Sequence, residues 1–130
     1  MELNQVNLTR MIIDLQDLMR LNDVDVVAEI VDDNWMKSSY GKESEVKGCY
    51  HCNRNSCAYF IYINEDRADD WEQTIVHEMI HIACDQFVAY VEKDAELDKF
   101  GDMVFEQMIE RLSWGFVNAW ADNECLVGID

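Results

Sequence analysis

The sequence predicts an α+β fold: a small antiparallel or mixed sheet with an N-terminal helix, a helix that contains an H-E-x-x-H motif, and a closing C-terminal helix. Three observations support this class. Apolar residues recur every three or four positions in three long segments, which is typical of helices with one buried face. Two short segments rich in β-branched and aromatic residues predict strands. The 130 residues contain no proline, linker or repeat, so a single domain, residues 1–130, is expected.

The first half of the chain predicts one helix and one strand, and a second strand follows. The helix is expected from Asn4 to Leu21, where apolar residues lie three or four positions apart. Val24 to Val31 is rich in valine and isoleucine and precedes two aspartates and an asparagine, so it is predicted to be a strand. Residues 36–57 are mostly polar and predict a loop or a loose hairpin. The segment AYFIYIN, Ala58 to Asn64, predicts the second strand.

Two helices are predicted in the second half of the chain. One runs from about Asp70 to Val91, with Asp69 or Asp70 as its N-cap. After a polar break at 93–97, the other runs from about Phe100 to Trp120. The apolar residues predicted to face inward are Ile75, Met79, Ile82, Phe87 and Val91 on the first of these helices, and Val104, Met108, Leu112, Phe116 and Trp120 on the second.

The composition limits the classes of partner. Hydrophobic residues make up 49% of the chain and charged residues 28%, which indicates a globular rather than a disordered protein. There are 27 acidic and 10 basic residues, so the net charge is −17. Such a charge repels phosphates and anionic membranes and attracts cations. We therefore expect neither a nucleic-acid nor a membrane partner, while the oligomeric state stays open.

The N-terminus and the cysteines indicate the compartment. Met1 to Leu15 lacks a basic region followed by an apolar core, so no secretory signal is expected, and no segment approaches the length of a membrane span. The five cysteines are an odd number and are expected to be mostly free thiols in a reducing cytosol. The expected location is the cytoplasm.

The segment TIVHEMIHI, residues 74–82, contains the chemistry-bearing motif H-E-x-x-H. Residues at i and i+4 lie on one helical face, so His77 and His81 can direct their nitrogens at one zinc ion about 2.0–2.1 Å away. Glu78 is rotated aside and can act as general base without ligating the metal. The alternative is two core histidines that bond to carbonyl groups. Since two of the three histidines flank a glutamate in this spacing, a zinc site is favoured.

A catalytic zinc needs a third protein ligand and one open position. Asp85 shares the helix face, but it lies about 12 Å from His77 along the axis, which is too far. The closing helix offers Asp102, Glu106 and Glu110 at intervals of four residues. Apolar neighbours surround Glu106, so it is the preferred third ligand, with Glu110 as the alternative.

These residues resemble the zincin metallopeptidases. Thr74 to Ala83 fits the zincin pattern of an uncharged lead-in, H-E, two uncharged residues, H and further hydrophobic residues, and AYFIYIN stands where zincins have an edge strand. The whole chain resembles the compact metallopeptidase-like proteins of bacteriophage genomes. Their closing helix contains E-x-x-x-E-R-L, here residues 106–112, and the likeness implies that Glu106 is the ligand. It also implies a location in the host cytoplasm.

Motif and resemblance together predict a zinc metallopeptidase that cleaves peptide bonds with Glu78 as general base. The substrate is expected to be a peptide or protein, and the negative charge makes a basic one a candidate. It would lie in extended form beside strand 58–64, with Tyr59, Tyr62 and Tyr90 as candidate oxyanion stabilisers. The alternative is an acidic, non-enzymatic binding protein, a nucleic-acid mimic or host-protein inhibitor, with a structural or vestigial metal site.

A second metal site is a further hypothesis. Cys49, His51, Cys52 and Cys57 are the residue types that bind structural zinc, although the chain has no second C-x-x-C pair. The alternatives are free cysteines that pack against the strand, or a Cys52–Cys57 bridge in an oxidising compartment.

Overall fold

The computed structural model describes residues 1–40, 46–53, 56, 58–91 and 106–121. It confirms the predicted α+β class: helices pack around a small mixed sheet of three strands. In chain order the elements are α1 (Gln5–Met19), β1 (Asp25–Val31), α2 (Asp33–Tyr40), β2 (Gly48–Asn53), β3 (Ala58–Asn64), a 3₁₀ turn (Glu65–Arg67), α3 (Trp71–Val91) and α4 (106–121).

Helix α1 begins and ends with defined caps, which explains why its bounds lie close to the predicted ones. The side chain of Asn4 accepts a hydrogen bond from the backbone N–H of Asn7 at 2.8 Å. At the other end Arg20 adopts the left-handed conformation, with φ of 57°, and its N–H bonds to Asp17 O. The apolar face buried between these caps consists of Leu8, Met11, Ile12 and Leu15.

The sheet has the strand order β1-β3-β2, with β1 parallel and β2 antiparallel to β3. The bounds predicted for β3 are confirmed. However, β3 is the central strand and pairs along both sides, so the prediction that a peptide would add beside residues 58–64 is wrong. Its aromatic and β-branched composition reflects this central position. Within the described residues, β2 is the sheet edge that lies against α3.

Residues 36–57 were expected to form a loop or loose hairpin, and the hairpin is confirmed because β2 pairs with β3. Helix α2 was not predicted. Asp32 caps it by accepting a hydrogen bond from Trp35 N at 2.8 Å. Met36 is fully buried, and the ring of Trp35 packs on Tyr62 with centroids 4.4 Å apart. The helix therefore depends on contacts with the sheet, which its short polar sequence does not reveal.

Helix α3 is buried on most sides and carries the motif. It begins one residue later than predicted and ends at the predicted residue. Its fully buried side chains include Ile75, Val76 and Met79, because α1, the sheet and α4 all pack around it. Over the described residues, none of the helices is both long enough and apolar enough to cross a membrane.

The described part of α4, 106–121, falls within the predicted helix apart from one residue at its end, and residues 100–105 lie outside the described residues. Of its predicted inward-facing residues, Trp120 is buried and Phe116 is partly buried, but the prediction is wrong for Met108 and Leu112, and Val104 lies outside the described residues. Met108 and Leu112 are about half exposed, at 50% and 49%. A strict four-residue repeat drifts around a helix of 3.6 residues per turn, whereas spacings of four, four and three stay on one face. The side chains that are buried are Ile109, Ser113, Val117 and Trp120.

Gly48 begins β2 where this strand passes closest to α3. A Cβ atom at Gly48 would lie 2.6 Å from Cγ2 of Thr74 and 3.2 Å from both Ile63 Cδ1 and Tyr62 O. Real side chains do not approach this closely, so only glycine fits between the strand and the helix.

We therefore expect Gly48→Ala to lower the free energy of unfolding by about 1–3 kcal/mol through overpacking. Thr74→Ser removes the opposing methyl group and keeps the hydroxyl that bonds to Asp70 O. In a double-mutant cycle followed by urea denaturation, Gly48→Ala should cost less in the Thr74→Ser background. Equal costs in the two backgrounds would contradict the assigned contact.

Candidate metal centre

His77 and His81 lie one turn apart on α3 and direct the same ring nitrogen at each other. Their Nε2 atoms are 3.2 Å apart. Two nitrogens bound to a tetrahedral zinc ion at about 2.0–2.1 Å would be separated by about 3.3 Å. The spacing of the two imidazoles therefore fits a shared zinc ion.

Glu106 of α4 completes a three-residue group with these histidines. One carboxylate oxygen lies 2.9 Å from His81 Nε2, and the other lies 3.5 Å from His77 Nε2. Within the described part of the chain, this is the one group of three or more candidate ligands whose atoms converge. Glu106 therefore lies beside both histidines, as the sequence predicted. The prediction assumed that its side chain points into the core, and this assumption is wrong because the side chain is 53% exposed.

Glu110 contacts His77 at Nδ1, the ring nitrogen that does not face Glu106. Its Oε2 lies 3.0 Å from His77 Nδ1, and its Oε1 accepts a hydrogen bond from Gln73 Nε2 at 3.0 Å. A carboxylate only accepts hydrogen bonds, so Nδ1 carries the proton and Nε2 presents its lone pair to the group with Glu106. The geometry therefore favours Glu106 as third ligand and Glu110 as the residue that orients His77.

Glu78 is 7% exposed and forms no hydrogen bond with any described residue. Burial, and then the negative charge of Glu106, raise the pKa of its carboxyl group to about 8. A largely buried carboxyl group whose pKa is raised in this way is more typical of functional than of structural positions.

A cleft of about 320 Å³ opens beside Glu78. The start of β2, the first turns of α3 and Glu110 of α4 form its walls, and both His77 and Glu78 line it. Glu78 and one of the candidate metal ligands, His77, are therefore reached from the same cleft.

Tyr50 is the residue at this centre that the sequence did not reveal. It lies opposite Ile61 in the β2–β3 register and faces α3. Its ring stacks on that of His81, with centroids 5.5 Å apart and an interplanar angle of 24°. The only feature of the sequence that relates to this contact is the alternation of side chains between the two faces of β2. The pairing of β2 with β3 could not be predicted from its polar sequence.

Two of the three tyrosines proposed as oxyanion stabilisers, Tyr59 and Tyr62, make their described contacts away from the histidines. Tyr59 donates its hydroxyl hydrogen bond to Asp85 at 3.1 Å, and burial raises its pKa strongly. Tyr62 packs on Trp35 on the opposite face of the sheet. The side chain of Tyr90 lies outside the described residues. For the first two, the predicted role is wrong because their side chains are directed elsewhere.

The hypothesis of a second zinc site on β2 is also wrong for its described members. Side chains alternate along a strand, so Cys49 and His51 share one face and Cys52 lies on the other. Cys52 faces α3, where its thiol lies 3.5 Å from Asp85 Oδ2, while His51 is exposed. These three residues cannot converge on one ion, and Cys57 lies outside the described residues.

Comparison with family models finds no match, and comparisons with curated proteins and with solved structures also find none. The resemblance to zincins therefore depends on the motif and the geometry of the centre.

We expect about one zinc ion per chain, which His77→Ala should abolish because two imidazoles and one carboxylate form the set. Elemental analysis and the rise in melting temperature on zinc addition both measure this. His51→Ala, the matched control on the outer face of β2, should leave both unchanged. Loss of zinc in the control, with retention in His77→Ala, would contradict the assignment.

Two isosteric variants separate the roles of the glutamates. Glu106→Gln should weaken zinc binding by more than about 100-fold because it removes a charged ligand. Glu110→Gln keeps an oxygen that can accept from His77 Nδ1 and should weaken binding by about tenfold or less. Competition with a chromophoric chelator measures both, and the reverse order of effects would make Glu110 the ligand.

Proposed function

We propose that this chain is a zinc-dependent metallopeptidase of the zincin kind, which hydrolyses peptide bonds with Glu78 as general base. The observation that carries the proposal is the convergence of His77 Nε2, His81 Nε2 and Glu106 beside a buried carboxyl group that has no hydrogen bond within the described residues. A catalytic H-E-x-x-H site requires two histidines that converge on one metal beside a glutamate that can take up a proton. Two histidines with a purely structural role would not require this arrangement.

The number of ligands supports a catalytic rather than a structural metal. Structural zinc sites usually have four protein ligands, whereas catalytic sites have three and leave one position open. The described residues offer three candidate ligands, and one of them, His77, lines the cleft beside Glu78. An acidic binding protein with a structural metal, the alternative function, would not need an open position.

Each residue of the centre then has a defined task. When bound, zinc acts as a Lewis acid that polarises a carbonyl group and lowers the pKa of a water molecule. Glu78 removes a proton from the attacking water as the oxygen of that water bonds to the scissile carbonyl carbon. As the C–N bond breaks, Glu78 delivers that proton to the departing amine. Glu110 keeps the His77 ring in the required tautomer and orientation.

The position of β2 supports an extended substrate. Strand β2 is the described sheet edge that lies against α3, so an extended peptide added at this edge would lie beside the motif helix. The inward-facing residue Tyr50 of β2 packs on His81, so a peptide paired with β2 would run alongside the metal centre. This edge replaces strand 58–64 as the proposed docking strand.

The net charge of −17 favours basic peptides or proteins as substrates. The proposed compartment is a reducing cytoplasm, that of a host cell if the likeness to bacteriophage proteins holds. The free thiol of Cys84 supports this, because an oxidising compartment usually selects for disulfides.

Glu78→Gln should retain zinc and the fold but lower peptide hydrolysis by at least about 100-fold, since the amide cannot accept the proton. Mass spectrometry of a proteome-derived peptide library, incubated with zinc-loaded protein, would detect the cleavage. Glu72→Gln, the same substitution on the same helix, should retain activity. Zinc loss in Glu78→Gln would make Glu78 a ligand, and a fully inactive wild-type protein with bound zinc would favour the binding function.

A further inference from the structure

We propose that the cleft beside Glu78 is a subsite for a cationic side chain of the substrate, lysine or arginine, and that Asp70 determines this specificity. The inference rests on the proposed function, because it assigns the substrate class of the same centre. It depends on three observations: an ammonium group already paired with Asp70 at the cleft, the charge of the cleft walls, and the exposure of Glu78 to it.

An ammonium group of the chain itself is already paired with Asp70, and both residues line the cleft. Nζ of Lys47 lies 3.0 Å from Oδ1 and 3.2 Å from Oδ2 of Asp70, so both carboxylate oxygens contact it. The two side chains are 53% and 30% exposed. Such exposed ion pairs contribute little stability and exchange readily with solvent. A lysine or arginine of a substrate can therefore replace Lys47 at the same carboxylate.

The walls of the cleft favour a cation over an anion. Two carboxylates, Asp70 and Glu110, line it against the single lysine. Glu110 is engaged by His77 and Gln73, which leaves Asp70 as the carboxylate with an exchangeable partner. A substrate carboxylate or phosphate would meet these negative groups, whereas a cation is attracted by them and by the chain as a whole.

The cleft also opens onto Glu78, the proposed general base. Glu78 is more than nine-tenths buried, has no hydrogen bond with a described residue, and lines this cleft. A volume of about 320 Å³ is at the lower end of ligand pockets, which span about 300–1,000 Å³. It suits one long side chain rather than a whole peptide, so the cationic residue would lie next to the scissile bond.

The test uses sets of otherwise identical peptides that carry lysine, arginine or the uncharged norleucine at each position in turn. In zinc-loaded wild-type protein, the cation should raise kcat/KM by about three- to tenfold at one position next to the cleaved bond. Asp70→Asn should remove this preference, and asparagine remains a good residue before a helix. Asp69→Asn, the neighbouring exposed carboxylate outside the cleft, makes the same charge change and should keep it. Lys47→Ala should increase it.

Binding separates this inference from the proposed function. Fluorescence anisotropy of the same labelled peptides, measured on the Glu78→Gln protein with and without Asp70→Asn, reports on the subsite without catalysis. Binding that depends on lysine and on Asp70, with no hydrolysis by the wild type, supports the subsite and overturns the peptidase. Hydrolysis without a cation preference, or with a preference that Asp70→Asn leaves intact, overturns the subsite alone. Neither binding nor hydrolysis overturns both.

Discussion

The amide of Gln73 joins α4 to the first turns of α3, and the metal centre depends on this junction. Its nitrogen lies 2.7 Å from Ser113 Oγ and 3.0 Å from Glu110 Oε1, and Gln73 and Ser113 are buried. Buried polar groups must be paired, so sliding α4 by one turn would leave them unsatisfied. The register fixed in this way sets Glu106 opposite both imidazoles.

Electrostatics supports the proposal that this centre binds a cation. Glu78, Glu106 and Glu110 lie around two histidines in a chain of net charge −17. Neighbouring carboxylates destabilise one another, and burial of Glu78 adds a desolvation cost. A divalent ion between His77 and His81 would offset this electrostatic cost. Hydrogen bonds between the histidines and the exposed glutamates would not offset it. The proposed metal ion would therefore relieve an electrostatic cost that the arrangement carries without it.

Strand β2 shapes the site through alternate residues. Gly48 allows the strand to approach α3, Tyr50 packs on His81, and Cys52 reaches Asp85. All three lie on one face because side chains alternate along a strand. The same strand therefore forms a wall of the cleft, supports a ligand and presents the sheet edge.

The sequence by itself determined the elements with strong local periodicity and the pairing of His77 with His81, because both depend on the 3.6-residue turn of a single helix. Only the tertiary structure decided the order of the strands and the positions of Glu106 and Glu110 around the ring of His77. It also decided the role of Tyr50. These features depend on contacts between segments far apart in the chain, and a shift of one residue in a strand, or of one turn in a helix, leaves the local pattern intact but changes which side chains meet.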